Sequence, residues 1–163
     1  MAQKKVFALL ASDGSACFDE LRAHLKSRGM EVWMAGSCKS ALRLLEQTHP
    51  EVVFTAVSLT DGAWVQIVDR VREMSVPINV IVVGKHADTR AYRSAIEQGA
   101  FDFILPPFET DLISQVGRTA AENARRRRRA EALKAITPAL HPGTGCQGPF
   151  PFPNPQHADW RQQ

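Results

Sequence analysis

Long apolar runs are missing from these 163 residues. None approaches the roughly 20 residues that a membrane-spanning helix needs. The start, Met1-Ala-Gln-Lys-Lys5, leads straight into a strand-like segment. It lacks the apolar core and small-residue cleavage site of a secretory signal, so a cytoplasmic protein is the expectation. Cysteine is scarce. Cys17, Cys38 and Cys146 are odd in number and far apart, which argues against a disulfide framework and against zinc. The five histidines show no pairing at metal-ligand spacing. There is no glycine-rich phosphate loop, no nucleophile beside a base and no carboxylate pair. Neither an enzyme nor a bound cofactor is expected.

What is present is the composition of an ordinary globular chain, 44% apolar and 23% charged. The length suffices for one well-buried domain plus a tail. The net charge of +3 misleads, because Arg125 to Arg129 supply five positive charges and everything else sums to −2. The basic character is therefore local, and no broad nucleic-acid-binding face is implied.

Over the first hundred-odd residues, strand and helix patterns alternate. Val6–Ala11 is a short apolar run suited to a strand buried on both faces. Ser12-Asp-Gly-Ser15 breaks it, and a helix follows over Ala16–Ser27 with Phe18, Leu21 and Leu25 inward. Gly29 stops that helix. Glu31–Met34 is a second strand. A second helix, capped by Ser37 or Ser40, buries Ala41, Leu42, Leu44 and Leu45 and ends before Pro50. Val52–Ala56 is the third strand. A third helix over Ala63–Met74 turns Trp64, Ile67, Val68 and Val71 inward. Val80–Val83 is the most strand-like stretch. A fourth helix covers Asp88–Gln98, and Phe101–Leu105 is the fifth strand. The fifth helix starts near Glu109 or Thr110 with Leu112, Ile113, Val116 and Ala120 as its core stripe. Its signal continues through the arginines to Ile136. Five strands alternating with five helices specify an α/β fold, a parallel sheet covered on both faces. The expected units are residues 1–122, a helical extension over 123–136 and a Pro/Gly-rich, disordered or extended tail over 137–163.

The stretch Gly99-Ala-Phe-Asp-Phe-Ile-Leu-Pro-Pro-Phe108 resembles the Gly-Ala-x-Asp-Tyr/Phe-Leu-x-Lys-Pro-Phe motif of the receiver domain of two-component response regulators. Arg28-Gly-Met-Glu-Val32, the Ser-Ala-Leu helix after it and Pro50-Glu-Val-Val53 also fit that family. The resemblance covers about residues 4–122 and implies a flavodoxin-like (βα)5 domain. It further implies a site at the C-terminal ends of the strands. In the family an acidic pair and an aspartate bind Mg2+, the aspartate accepts a phosphoryl group, and a Thr/Ser and a Lys hold its oxygens.

Carried over position by position, the acidic pair falls on Ser12 and Asp13. The phosphoacceptor falls on Ala56, the Thr/Ser on Gly84, the Lys on Pro106 and the aromatic switch residue on Phe103. The resemblance thus implies a degenerate pseudo-receiver with no acyl phosphate and no tight Mg2+ site, since Asp13 alone offers too few hard oxygens. Asp61-Gly62 reads as turn chemistry before the third helix, with Asp61 reaching toward the vacant pocket as the alternative. Lys85 and His86 read as a solvated loop, with anion binding or pairing with Asp13 or Asp61 as the alternative.

The implied role is a signalling protein–protein interaction module for an unidentified partner. The family often dimerises through its fourth helix, fifth strand and fifth helix. The residues expected there are Tyr92, Arg93, Ile96 and Glu97, with Arg118 and Glu122. The run Arg125, Arg126, Arg127, Arg128 and Arg129 leaves three readings open. One is a solvated helix whose arginine stems snorkel and pair with Glu122 and Glu131. Another is a linker with a rough heptad stripe. The third is contact with phosphates of nucleic acid or anionic lipid, a regulator reading that is not favoured. In the tail, Phe150, Phe152 and Trp160 are candidate anchors of a proline-rich ligand.

Overall fold

The computed structural model describes residues 4–140. A five-stranded parallel sheet forms from β1 (Phe7–Ala11), β2 (Glu31–Ala35), β3 (Val52–Ala56), β6 (Asn79–Val83) and β7 (Asp102–Ile104), in the order β2-β1-β3-β6-β7. The three central strands carry the most apolar runs. Val52–Ala56 and Asn79–Val83 are buried at every position, and so are Ala8–Ala11. Edge strands β2 and β7 are only partly covered. The helices are α1 (Ala16–Ser27), α2 (Cys38–Thr48), α3 (Trp64–Glu73), α4 (Thr89–Glu97) and α5 (Thr110–Leu140). Helix α1 packs with α5, and α2 packs with α3. This is the two-layer cover that crossovers of one hand give to a sheet whose order reverses after β2.

The expected α/β class and the five parallel strands are observed. The inward residues of α1 are those its spacing predicts: Phe18, Leu21 and Leu25 are fully buried. Helix α5 differs. Ile113 is buried, but Leu112 is 54% exposed. The buried arc of α5 takes Ile113 with Ser114, and later Ala120 with Ala121, which leaves Leu112 on the solvent side. The segment after β3, read as a loop, forms a two-stranded antiparallel hairpin, β4 (Ser58–Leu59) with β5 (Gly62–Ala63). Helix α5 runs to Leu140, beyond the expected end at Ile136. The Pro/Gly tail after it, with Phe150, Phe152, Trp160 and Cys146, lies outside the described residues.

Candidate functional site

Parallel sheets of this kind present their loops at the C-terminal strand ends. There, a hollow of about 270 Å3 opens between the loops after β1, β3 and β6. Asp13, Ala56, Gly84, Lys85 and Phe103 all line it. Of the residues that the resemblance assigns to the site, these four are brought together: Asp13, Ala56, Gly84 and Phe103. Ser12 is buried and turned to local work, its Oγ accepting the Gly14 amide at 3.0 Å. Pro106 sits in a cis peptide bond with Pro107 and brings no cation.

The cation comes from another strand. Lys85, in the loop after β6, places its Nζ 2.7 Å from Asp13 Oδ2. The other carboxylate oxygen, Oδ1, accepts the Ser15 amide at 3.0 Å and the Ser15 hydroxyl. Burial pushes the Asp13 carboxyl up, but the bonds from Lys85 and Ser15 outweigh it and hold it at about 2, below the usual 3.8. The same hydrogen bond and charge from Asp13 raise the Lys85 ammonium. Both oxygens of the one surviving carboxylate are thus engaged, and β3 ends on a buried methyl group, Ala56. Among the described residues no group of three His, Cys, Asp or Glu side chains is arranged to hold a metal ion. These residues do not fit the Mg2+ that the family's acidic residues bind.

Gly84 is more than a missing hydroxyl. A Cβ built on it would lie 2.4 Å from Phe103 Cζ and 2.9 Å from Leu105 Cδ2. The Phe103 ring therefore occupies the volume that a Thr or Ser side chain would need. It meets the Tyr92 ring edge-on, with centroids 6.1 Å apart.

Asp61 points elsewhere. Its oxygens accept the amides of Cys38 at 2.5 Å and Lys39 at 3.0 Å, while Ser37 Oγ accepts Ser40. The first three free amides of α2 are satisfied in this way, two of them from across the chain. The Lys39 and Cys38 amides hold the Asp61 carboxyl below its usual range. Burial first, and then the Asp61 charge, push the Cys38 thiol up. Asp61 sits in the turn between β4 and β5, as the turn reading expects, and its carboxylate is in addition a tertiary cap of α2. The pairing named for Lys85 is the one with Asp13.

On α4, Tyr92, Arg93, Ile96 and Glu97 are all exposed. Tyr92 at 48% and Ile96 at 40% make an apolar patch with β7 behind it. Arg118 and Glu122 do not join them. Arg118 donates to the Arg28 carbonyl at the end of α1 at 3.1 Å, and Glu122 lines a cavity with Lys4, Lys5 and Arg28. Asp111, which pairs with Arg28, lies seven residues before Arg118 on the same α5 face. That repeat turns the face toward α1 and away from α4.

The arginine run is mostly docked. Arg125 Nε donates to the buried Glu51 at 2.6 Å, and its Nη2 to the Lys5 carbonyl at 2.7 Å. Glu51 also accepts the Phe7 amide at 2.8 Å. Arg127 donates to Asn79 Oδ1 at 2.9 Å. Arg128 reaches the carbonyls of Pro77 at 2.9 Å and Pro50 at 2.7 Å, and its burial lowers the guanidinium from its usual value. Three guanidiniums therefore tie the extension of α5 to the N-terminal ends of β1, β3 and β6. The expected pairs of Arg126 with Glu122 and of Arg127 with Glu131 are not formed; Arg127 is taken by Asn79 instead. Only Arg126 and Arg129 of the run have no partner among the described residues.

A family model described as the response regulator receiver domain matches residues 8–117. The chain is 29% identical over 115 residues to the DNA-binding transcriptional regulator NtrC of Bradyrhizobium sp. (strain RP501 Parasponia), covering 70% of this chain and 24% of that protein. It is 26% identical over 117 residues to the nitrogen assimilation regulatory protein NtrX of Azorhizobium caulinodans, covering 69% and 25%. The chain thus spans about a quarter of the length of these curated relatives. The crystal structure of the receiver domain of NtrX from Brucella abortus superimposes with a TM-score of 0.63 at 28% identity, covering 71% of this chain and 98% of that one. With the sheet order, the site at its strand ends and a family match over most of the described residues, the chain belongs to the response regulator receiver domain family.

Proposed function

We propose that this chain is a phosphorylation-independent receiver, a signalling module of a two-component-type system that acts by protein–protein contact. The observation that carries this reading is the hollow after β3. It offers Ala56 where a nucleophile is needed, its Asp13 carboxylate is paired with Lys85, and its other carboxylate, Asp88, accepts the Arg90 and Ala91 amides as the cap of α4. Phosphoryl transfer to a side chain needs a nucleophile and compensating positive charge on the oxygens. Here the first is a methyl group and the second is spent on Asp13. The volume next to Gly84 is filled by Phe103, so the ring is held without a phosphoryl-dependent hydroxyl.

The contact surface that suits this role is the α4–β7 patch of Tyr92 and Ile96, bordered by the charged Arg93 and Glu97. We assign homodimerisation to it. The arginine run supports a nucleic-acid role less well, since three of its five side chains are engaged within the domain. Sedimentation at high micromolar concentration tests the assignment, with and without acetyl phosphate and Mg2+. The expected result is a dimer in both conditions and a monomer for Ile96→Asp. A wild-type monomer, or a dimer that forms only with the phosphodonor, contradicts the reading.

A further inference from the structure

A second cavity, of about 370 Å3, lies at the opposite end of the sheet. It opens between the segment entering β1, the turn from α1 to β2, and α5. Five cationic residues line it, Lys4, Lys5, Arg28, Arg118 and Arg125, against the single carboxylate Glu122. The excess of four positive charges is larger than the net +3 of the whole chain. Two of these cations are committed, Arg28 to Asp111 and Arg125 to Glu51. Among the described residues, Lys4, Lys5 and Arg118 have no carboxylate partner within ion-pair distance.

This patch is built rather than merely solvated. Arg118 is held by the Arg28 carbonyl, and Arg125 by the Lys5 carbonyl and Glu51. Two guanidiniums are therefore fixed at the wall of a concave site, and their rotamer entropy is already lost. Val6 and Met30, both buried, supply an apolar floor that strengthens the field above it. Like charges gathered in this way repel until an anion joins them.

We propose that this cavity binds a small anion carrying several phosphate groups, held by Lys4, Lys5 and Arg118. Arginine and phosphate form charge-assisted, forked hydrogen bonds, and the lysines add point charges. An adjoining hollow shares Lys5, Gly29 and Met30 and is walled by Lys26, Trp33 and one carboxylate, Glu31. Trp33 is 43% exposed on edge strand β2 and packs against Phe7 with ring centroids 5.8 Å apart, which leaves its exposed side for a stacked base. Inorganic polyphosphates and nucleoside polyphosphates share the phosphate chemistry and differ in their use of Trp33. Because Arg125 also clips α5 to Glu51, an occupant sits at the root of the helical extension.

Calorimetric titration of the full chain with inorganic tripolyphosphate, and separately with ATP, tests this. Saturable binding at one site is expected. Lys5→Gln with Arg118→Gln should weaken it on the order of tenfold or more, while Arg126→Gln with Arg129→Gln, an equal loss of charge outside the cavity, should change it by less than about twofold. Lys4→Gln with Lys5→Gln repeats the test on two exposed side chains without touching α5. A tighter grip on ATP that Trp33→Ala removes identifies a nucleotide, and equal affinities identify the phosphate chain alone. Absence of saturable binding in the millimolar range, or equal losses from the cavity and control variants, overturns the proposal.

Discussion

Gly84 shows how one residue sets the state of its neighbours. It is not in the left-handed region, so an alanine there would normally stabilise the chain by restricting the unfolded state. Its Cβ, however, would stand 2.4 Å from the Phe103 ring. Gly84→Ala should therefore cost about 1–3 kcal/mol, the usual range for overpacking. Phe103→Leu in the same chain should recover part of that loss. Urea denaturation of the two single variants and the double variant checks it, and a neutral or stabilising Gly84→Ala would contradict the packing described.

Asp13 and Lys85 predict a pH dependence with a definite sign. The carboxyl is depressed from 3.8 to about 2. Its contribution to stability is present above its ordinary value and is lost as pH falls through the folded value. The Lys85 ammonium is raised, so its contribution is complete below its ordinary value and disappears only as pH rises above it. The pair should therefore act across neutral pH. The stability difference between wild type and Lys85→Met should shrink between about pH 4 and about pH 2. Because the ammonium is 61% exposed, the difference should be small and should fade with salt. A difference that grows on acidification would show that the pair does not form.

At the scale of elements, α5 is the least expected part of the chain. Its arginines read as solvated, linking or phosphate-binding, yet Arg125 enters a largely buried pair with Glu51, whose side chain is only 8% exposed. Removing one member of such a pair strands the other. Glu51→Ala should cost about 3–5 kcal/mol in thermal or urea unfolding, and Glu51→Met with Arg125→Met distinctly less. Equal costs for the single and double changes would mean that the two charges are not coupled.

The same helix shows what was legible in the sequence. The periodicity that placed Phe18, Leu21 and Leu25 inward is local, and so is the apolar continuity that marked β1, β3 and β6. These signals give the order and type of the elements. They do not say which loop carbonyls a distant guanidinium will meet. Arg128 bonding to Pro77 and Pro50, and Asp61 capping α2 through Cys38 and Lys39, join residues 20 to 80 positions apart in the chain. No spacing rule reaches that far. The family motif points to the positions that face the hollow after β3, and the sequence offers Asp13 as one partner for Lys85. That Phe103 fills the space beside Gly84, and that Arg118 and Glu122 face α1, required the fold.

For the whole molecule, the receiver sheet carries at its C-terminal edge the methyl group of Ala56, the Asp13–Lys85 ion pair and the Phe103 ring beside Gly84. No helix among the described residues is long and apolar enough to cross a membrane. The central claim is that this receiver does not accept a phosphoryl group. Intact-mass measurement after incubation with acetyl phosphate and Mg2+ tests it most directly. The expected result is the mass of the untreated chain. A stable gain of one phosphoryl group would contradict it.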